Sequence, residues 1–342
     1  TVANVFTAIQ DGEPCSPWQS VFGLSVGVAT LKGDEISRSD LLTQADLALY
    51  KAKDGGKSQV CFYSDNIDAK LKRERLITER LIPALENNQL ELHYQPQIKT
   101  DGSSITGFEA LLRWQDPLLG IVSPEEIIEI SEREGLVSQL GRWVIDTACM
   151  EASSWPQHIR LAVNLSPLQL ADETLPAFVE STLRKTGVEP SRFEIEITET
   201  ALVSDTGKAK ELIDALKAMG ILIALDDFGT GYSSLSMLQS FPIDRIKIDR
   251  SFVRNLTENN DNASIVASII DLGARLGLDV IAEGVETEDD IKTLKEFNCL
   301  ECQGYLVSKP LESSEIQVIV NRYEASETNE VVVPISKWKK TG

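Results

Sequence analysis

Histidine is almost missing from this chain. Only His93 and His158 occur in 342 residues, so a histidine-built metal centre or a histidine general base is nearly excluded. No P-loop appears, which removes the common nucleotide-cradling design. Long apolar runs are missing too. A spanning helix needs ~18 uninterrupted apolar residues. The nearest stretch, Ala263 to Ala282, is broken by Asp271, Arg275 and Asp279. No basic, apolar and cleavage regions follow one another at the start, so no secretory leader is read and a cytoplasmic location is expected. The chain opens at Thr1 rather than Met, which reads as a piece of a longer protein whose anchor or sensor would lie upstream. Five cysteines cannot all pair, and Cys299-x-x-Cys302 has no second pair to complete a zinc site. Positive charge is scarce as well. Lys and Arg number 33 against 53 Asp and Glu, a formal charge of −20 that argues against binding a nucleic-acid polymer.

What the chain has is apolar runs that end in acids. Ile221-Leu222-Ile223-Ala224-Leu225 stops at Asp226-Asp227, followed by Phe228-Gly229-Thr230-Gly231. Such a run reads as a strand buried on both faces, and the glycines as a sharp turn. Taken alone, a solvated Asp-Asp turn is the plain alternative. The arrangement recurs, however. Apolar runs at Leu90–Pro96, Ile105–Leu112, Leu161–Leu165, Phe193–Ile197, Ile221–Leu225, Ile246–Ile248, Val280–Ala282 and Cys302–Leu306 alternate mostly with helical patterns. These patterns are Val137–Ala152, Leu175–Thr186, Lys208–Met219, Ala263–Leu276 and Glu288–Phe297, with Gly187, Gly220 and Gly277 placed as helix C-caps. The pattern predicts a (β/α)8 TIM-like barrel over 89–324; a doubly wound sheet is the alternative, without its early Gly-rich loop.

Ahead of the barrel, Val21 to Ala29 reads as an alternating strand, Ser39 to Lys53 as an amphipathic helix and Val60 to Tyr63 as a short strand, together a small α/β piece over 1–63. A connecting helix over Ala69 to Arg80, within a linker spanning 64–88, precedes Pro83, and a polar tail occupies 325–342.

In such a barrel the C-terminal strand ends build the active site. Those ends carry Glu109, Asn164, Glu196 with Glu199, Asp226 with Asp227, Lys247 with Asp249, Glu283 with Glu286, and Gln303. Two carboxylates ~5 Å apart repel by ~3 kcal/mol at an effective dielectric near 20. Several such pairs would rival the ~5–15 kcal/mol that holds a domain together. One lysine cannot neutralise them, so the cluster either takes up protons or binds divalent metal. Oxygen donors without histidine favour Mg²⁺ or Mn²⁺ over Zn²⁺, and an oxygen-rich site beside a lysine suits attack of water on a phosphate ester. For Lys247 alone, an ion pair with Asp249 is the simplest alternative.

Glu109-Ala110-Leu111-Leu112-Arg113-Trp114, Tyr94-Gln95-Pro96, Val163-Asn164-Leu165-Ser166, Glu194-Ile195-Glu196-Ile197-Thr198-Glu199, Asp226 to Ser233, Lys247 to Val253, Glu283-Gly284-Val285-Glu286 and Gln303-Gly304-Tyr305 occur in an order that resembles the EAL-domain family, cyclic di-GMP phosphodiesterases of bacteria. The resemblance covers about Leu71 to Pro310. It implies a first metal held by Glu109, Asn164, Glu196 and Asp226, and a second held by Asp226 with Asp227, supported by Glu283 through water. It also implies that Lys247 orients the attacking water, with Glu283 another candidate base and Glu286 a supporting member of the catalytic set. Gln95, Arg113, Asp249 and Gln303 would face substrate. Glu199 would anchor the loop from Phe228 to Ser234, linking it to a homodimer contact. The implied product is linear pGpG, and the implied cations are two Mg²⁺ or Mn²⁺, with Ca²⁺ inhibitory.

Ser25 to Ala29 and Ala45 to Lys53 resemble the end of a GGDEF (diguanylate cyclase) domain without its signature motif. Gly33-Asp34-Glu35 follows the strand that the family's signature precedes, and Lys57-Ser58 stands where Arg-Asn is usual, so a retained spacer is expected rather than a cyclase. A receptor that binds cyclic di-GMP without cutting it, and a scaffold acting through partners, are the competing functions; filled metal and lysine positions favour the enzyme.

Overall fold

A computed structural model describes residues 24–30, 37–54, 58–204, 206–230, 235–254, 256–257 and 259–327. The chain divides into two units, 1–79 and 80–342, and the division falls within the helix Asp65–Glu86. In the first unit β1 (Val26–Val28) pairs in parallel with β2 (Val60–Phe62), Val26 opposite Val60. A parallel pair needs a long crossover. The helix Arg38–Asp54 supplies it. The strand expected from Val21 is found over Val26–Val28, and 21–23 lie outside the described residues.

Pro83 does not precede the next segment, as the sequence suggested. The helix runs through it to Glu86. Burial of Leu81 and Ala84 on either side holds the turn, and Asn87 closes it by donating to the Pro83 carbonyl. A proline removes one helical hydrogen bond, which is tolerable one turn from the helix end.

The second unit carries β3 (Leu90–Lys99), β4 (Ile105–Asp116), β5 (Gly120–Val122), β6 (Arg160–Asn164), β7 (Phe193–Thr198), β8 (Leu222–Phe228), β9 (Arg245–Ile248), β10 (Asp279–Ala282) and β11 (Glu301–Gln303). The order β3-β11-β10-β9-β8-β7-β6-β4 closes on itself through β3 and β4, giving the eight-stranded barrel with outer helices that the sequence predicted. Two features were not anticipated. β3 runs antiparallel to both neighbours, because a hairpin rather than a helix joins it to β4. β5 folds back on the end of β4 through a turn that Asp116 caps, accepting from the Leu118 and Leu119 amides. The last apolar run ends as a strand at Gln303 rather than Leu306. Gly187 and Gly277 cap helix ends with φ of 74° and 72°, as their positions implied.

Along β7, Phe193, Ile195 and Ile197 alternate with Glu194 and Glu196, and all five are buried. The apolar set packs outward and the acids enter the bore. Barrel bores are ordinarily filled by branched apolar residues. Here charge replaces them, and that substitution positions the site.

Candidate active site at the barrel mouth

Lys247 is the centre of the bore. It projects inward from β9, with its side chain only 1% exposed. Its Nζ lies 2.6 Å from Glu196 Oε2, 2.8 Å from Glu283 Oε1, 3.2 Å from Asp226 Oδ1 and 3.9 Å from Glu109 Oε1. These acids come from β7, the loop after β10, β8 and β4, so barrel closure alone makes them neighbours. The simple Lys247–Asp249 pair is not formed. Asp249 instead caps the short helix Arg250–Val253, accepting from the Ser251 amide at 2.9 Å.

Asp226 and Asp227 owe their joint placement to a bulge. Leu225 pairs with Ile246 and Phe228 with Ile248, so two residues of β8 stand opposite Lys247 alone. Consecutive strand residues ordinarily point to opposite faces, and a bulge re-aims one of them. Asp227 adopts φ of 55°, left-handed backbone that aspartate tolerates better than most side chains. Its amide donates to Asp226 Oδ1 at 3.0 Å.

Glu109 is held from two sides. Asn164 Nδ2 donates to its Oε1 at 2.7 Å and Gln303 Nε2 to its Oε2 at 2.5 Å. Gln303 also reaches Gln95 Oε1 at 3.2 Å, and Gln95 donates to the Ser308 carbonyl. Above this layer opens a cavity of about 410 Å³, lined among others by Gln95, Arg113, Glu283, Glu286, Gln303 and Tyr305. Two glycines set its wall. A Cβ on Gly304 would stand 2.2 Å from the Val285 carbonyl oxygen, and one on Gly284 2.4 Å from Arg250 Cβ.

The remaining expected residues are more dispersed. Arg113 lines the cavity and donates to the Leu112 carbonyl. Glu286 is exposed and paired with Arg254, at 2.8 Å from its Nε, outside the Lys247 cluster. Glu199 is buried at the start of the helix Glu199–Ser204. The loop it was expected to anchor is described only to Thr230, and 231–234 lie outside the described residues. Arg254 was not singled out from sequence, and Tyr305, noted there only within Gln303-Gly304-Tyr305, was given no role. Its place directly after Gln303-Gly304 was the available signal, and the structure finds the ring exposed at the cavity.

The charge balance asks for cations. With all five ionised, Glu109, Glu196, Asp226, Asp227 and Glu283 would share one ammonium, leaving four negative charges that two divalent cations would neutralise; without cations, the crowding shows as raised carboxyls. Glu196 Oε1 is buried with no hydrogen-bond partner among the described residues. Burial, then the Glu109 charge, pushes the Glu196 carboxyl well above its usual range. Glu283 is pushed up to about 8 by burial, with Lys247 opposing and Asp226 adding to the rise. Asp227 rises to about 6 through loss of water and the charges of Asp226 and Asp249. Lys247 also rises, well above its usual range: burial alone would discharge it, but Asp226, Glu109, Glu196 and Glu283 outweigh burial and keep it charged. Clustered oxygens, an amide and no histidine fit hard divalent cations.

The CxxC pair packs apart from this chemistry. Cys299 and Cys302 are buried and free, and burial pushes both thiols up to about 12.

A model of the EAL domain matches residues 78–310. The bifunctional diguanylate cyclase/cyclic di-GMP phosphodiesterase MucR of Pseudomonas aeruginosa is 38% identical over 296 residues, covering 85% of this chain and 43% of its own length. The cyclic di-GMP phosphodiesterase PdeR of Escherichia coli is 36% identical over 302 residues, covering 87% and 46%. The solved structure of the PaMucR phosphodiesterase in complex with c-di-GMP superposes with a TM-score of 0.68 at 39% identity, covering 70% of this chain and 99% of that one. The chain thus spans less than half the length of these curated relatives.

Proposed function

Since the chain belongs to the EAL domain family, we propose that its barrel mouth hydrolyses one phosphodiester of cyclic di-GMP to linear pGpG. The observation that carries this reading is the convergence of Glu109, Glu196, Asp226 and Glu283 on Lys247 beside the Asp226-Asp227 bulge. Glu109, Asn164, Glu196 and Asp226 would hold one cation, and Asp226 with Asp227 a second, with Glu283 beside it. When bound, two Mg²⁺ or Mn²⁺ ions supply positive charge that draws the phosphodiester in and offsets the charge developing on it.

The chain's own groups do the rest. Lys247 and Glu283 form an ammonium–carboxyl pair able to hold a water molecule and pass on its proton. The water oxygen bonds to phosphorus, the P–O3′ bond breaks, and the proton ends on O3′. Gln303 and Asn164 fix both oxygens of Glu109. Arg113 offers a planar fork suited to a phosphate, and Gln95, Asp249 and Gln303 present polar groups for the nucleotide. Glu286 lines the cavity with Arg254 as its partner.

Among the described residues no helix is long and apolar enough to cross a membrane. The β1–β2 pair and its helix are read as the end of a GGDEF-like domain kept as a spacer. Pairing of two EAL barrels through the loop after β8 completes the proposal.

Incubation with cyclic di-GMP and Mg²⁺ or Mn²⁺ tests it, with Glu109→Ala as control. Linear product from the unsubstituted chain and none from the variant supports the hydrolase. Tight binding without product from the unsubstituted chain overturns it in favour of a receptor.

A further inference from the structure

Beneath the mouth, the strands that carry Glu196 and Lys247 hold a second ion pair. Glu194 lies two residues before Glu196 on β7, and Arg245 two before Lys247 on β9, so each pair shares the inward face. Arg245 Nε stands 3.4 Å from Glu194 Oε2, and both side chains are 1% exposed. β8 runs between these strands. Its small Ala224 pairs with both Glu196 and Arg245 and leaves room for contact across the bore. Arg245 also approaches Glu301 at 3.0 Å, and Arg160 holds Glu301 through bonds of 2.7 and 2.8 Å.

Stability alone gives little reason for this floor. Neither carboxylate oxygen of Glu194 and neither Nη of Arg245 completes a hydrogen bond among the described residues. A buried ion pair without its hydrogen bonds does not recover its desolvation, and an apolar pair of similar volume would hold the fold as well. What the floor does achieve is a separation of charge. Arg245 and Arg160 answer the lower acids, and Lys247 is left to the upper ones.

We propose that Arg245 is a positioning residue. By answering Glu194 it keeps the Lys247 ammonium among Glu196, Asp226 and Glu283, and so sets how tightly the mouth takes a divalent cation. This rests on reading the mouth as a cation site. Without the guanidinium, Glu194 competes for Lys247 from one strand repeat below. The ammonium that contends with cations for Glu196 and Asp226 is drawn down, and the mouth gains cation affinity.

Calorimetric titration of the full chain with Mn²⁺, beside its thermal midpoint, tests this. Arg245→Met is expected to bind Mn²⁺ about tenfold more tightly. Arg245→Lys, which keeps the charge, should stay within about threefold of the unsubstituted chain, as should Glu194→Gln/Arg245→Met, which removes the competitor. An unchanged Mn²⁺ affinity in folded Arg245→Met, or the same shift in the double variant, overturns the proposal. If Arg245→Met does not fold, the neutral double variant carries the test, and a larger departure than about threefold there overturns it. No Mn²⁺ uptake by the unsubstituted chain overturns this proposal together with the cation site. Uptake with the expected shifts but no hydrolysis supports it and overturns the hydrolase alone.

Discussion

Asp226 meets Lys247 at 3.2 Å because the pairing of β8 with β9 slips by one residue between Leu225 and Phe228. The slip lets two consecutive carboxylates stand opposite a single lysine. In the absence of other cations, that lysine is the only positive charge contacting Glu196, Asp226 and Glu283 among the described residues.

Replacing it should therefore expose the repulsion it suppresses. Lys247→Met is expected to cost about 3–5 kcal/mol in metal-free buffer, the usual loss when one partner of a buried charge cluster is removed. Mn²⁺ should restore much of that stability without restoring turnover, because a cation can replace the charge but not the ammonium that holds water. Urea unfolding in EDTA and in Mn²⁺ checks this. Equal losses in both buffers would contradict the shared-charge account.

The acid limb of stability should depend on Asp116. Burial opposes its ionisation, but Arg80, with Nε 2.5 Å away, and the Leu118 and Leu119 amides outweigh burial and hold the carboxyl below its usual range. A folded-state value lower than the unfolded one adds stability that is fully present above the unfolded value, ~3.9, and is lost as pH falls through the folded one. Asp116→Asn should lower stability by about 1–3 kcal/mol at pH 7 and flatten the decline on acidification below pH 4. Urea midpoints from pH 6 to pH 2.5 measure both, and an acid limb as steep as that of the unsubstituted chain would refute the assignment.

Gly304 should tolerate no side chain. Its missing Cβ is what lets Val285 approach, with the carbonyl oxygen at 2.2 Å and the amide nitrogen at 2.3 Å from where that atom would sit. Gly304→Ala must push the Glu283–Glu286 loop outward, at a cost of about 1–3 kcal/mol. Turnover should fall with it, since Glu283 leaves Lys247. A variant with unchanged unfolding midpoint and rate would show that the loop yields freely.

Alternation explains what could be read before the structure. Glu196, Asp226 and Lys247 interrupt apolar runs at their ends, so their gathering follows once eight strands close. The bulge was not legible, because nothing in Leu-Asp-Asp-Phe states that one residue is extra until β9 is laid beside it. The floor was missed for a different reason. Arg245 opens β9 just ahead of the run Ile246–Ile248, where a polar residue looks like the edge of a loop, and Glu194 lies inside its run with no partner in view. Only the register across β8 places them within the bore. Pro83 misled through a local rule that burial of Leu81 and Ala84 overrides. The partner of Glu286 comes from a different loop, and no spacing connects it to Arg254.

Ca²⁺ should bind at the mouth and stop the reaction. It accepts six to eight oxygens at ~2.3–2.6 Å in loose geometry, whereas Mg²⁺ requires near-octahedral oxygens at ~2.0–2.1 Å. Asp226 and Asp227 are fixed next to each other by the bulge and by the hydrogen bond between them, so the spacing they offer cannot relax along the strand. A larger ion would satisfy the carboxylates while displacing the phosphodiester from Lys247. With Mg²⁺ constant, excess Ca²⁺ is expected to reduce cyclic di-GMP hydrolysis by about tenfold or more, and a selective chelator to restore it. Turnover that is indifferent to Ca²⁺ would mean that the paired aspartates do not share a cation.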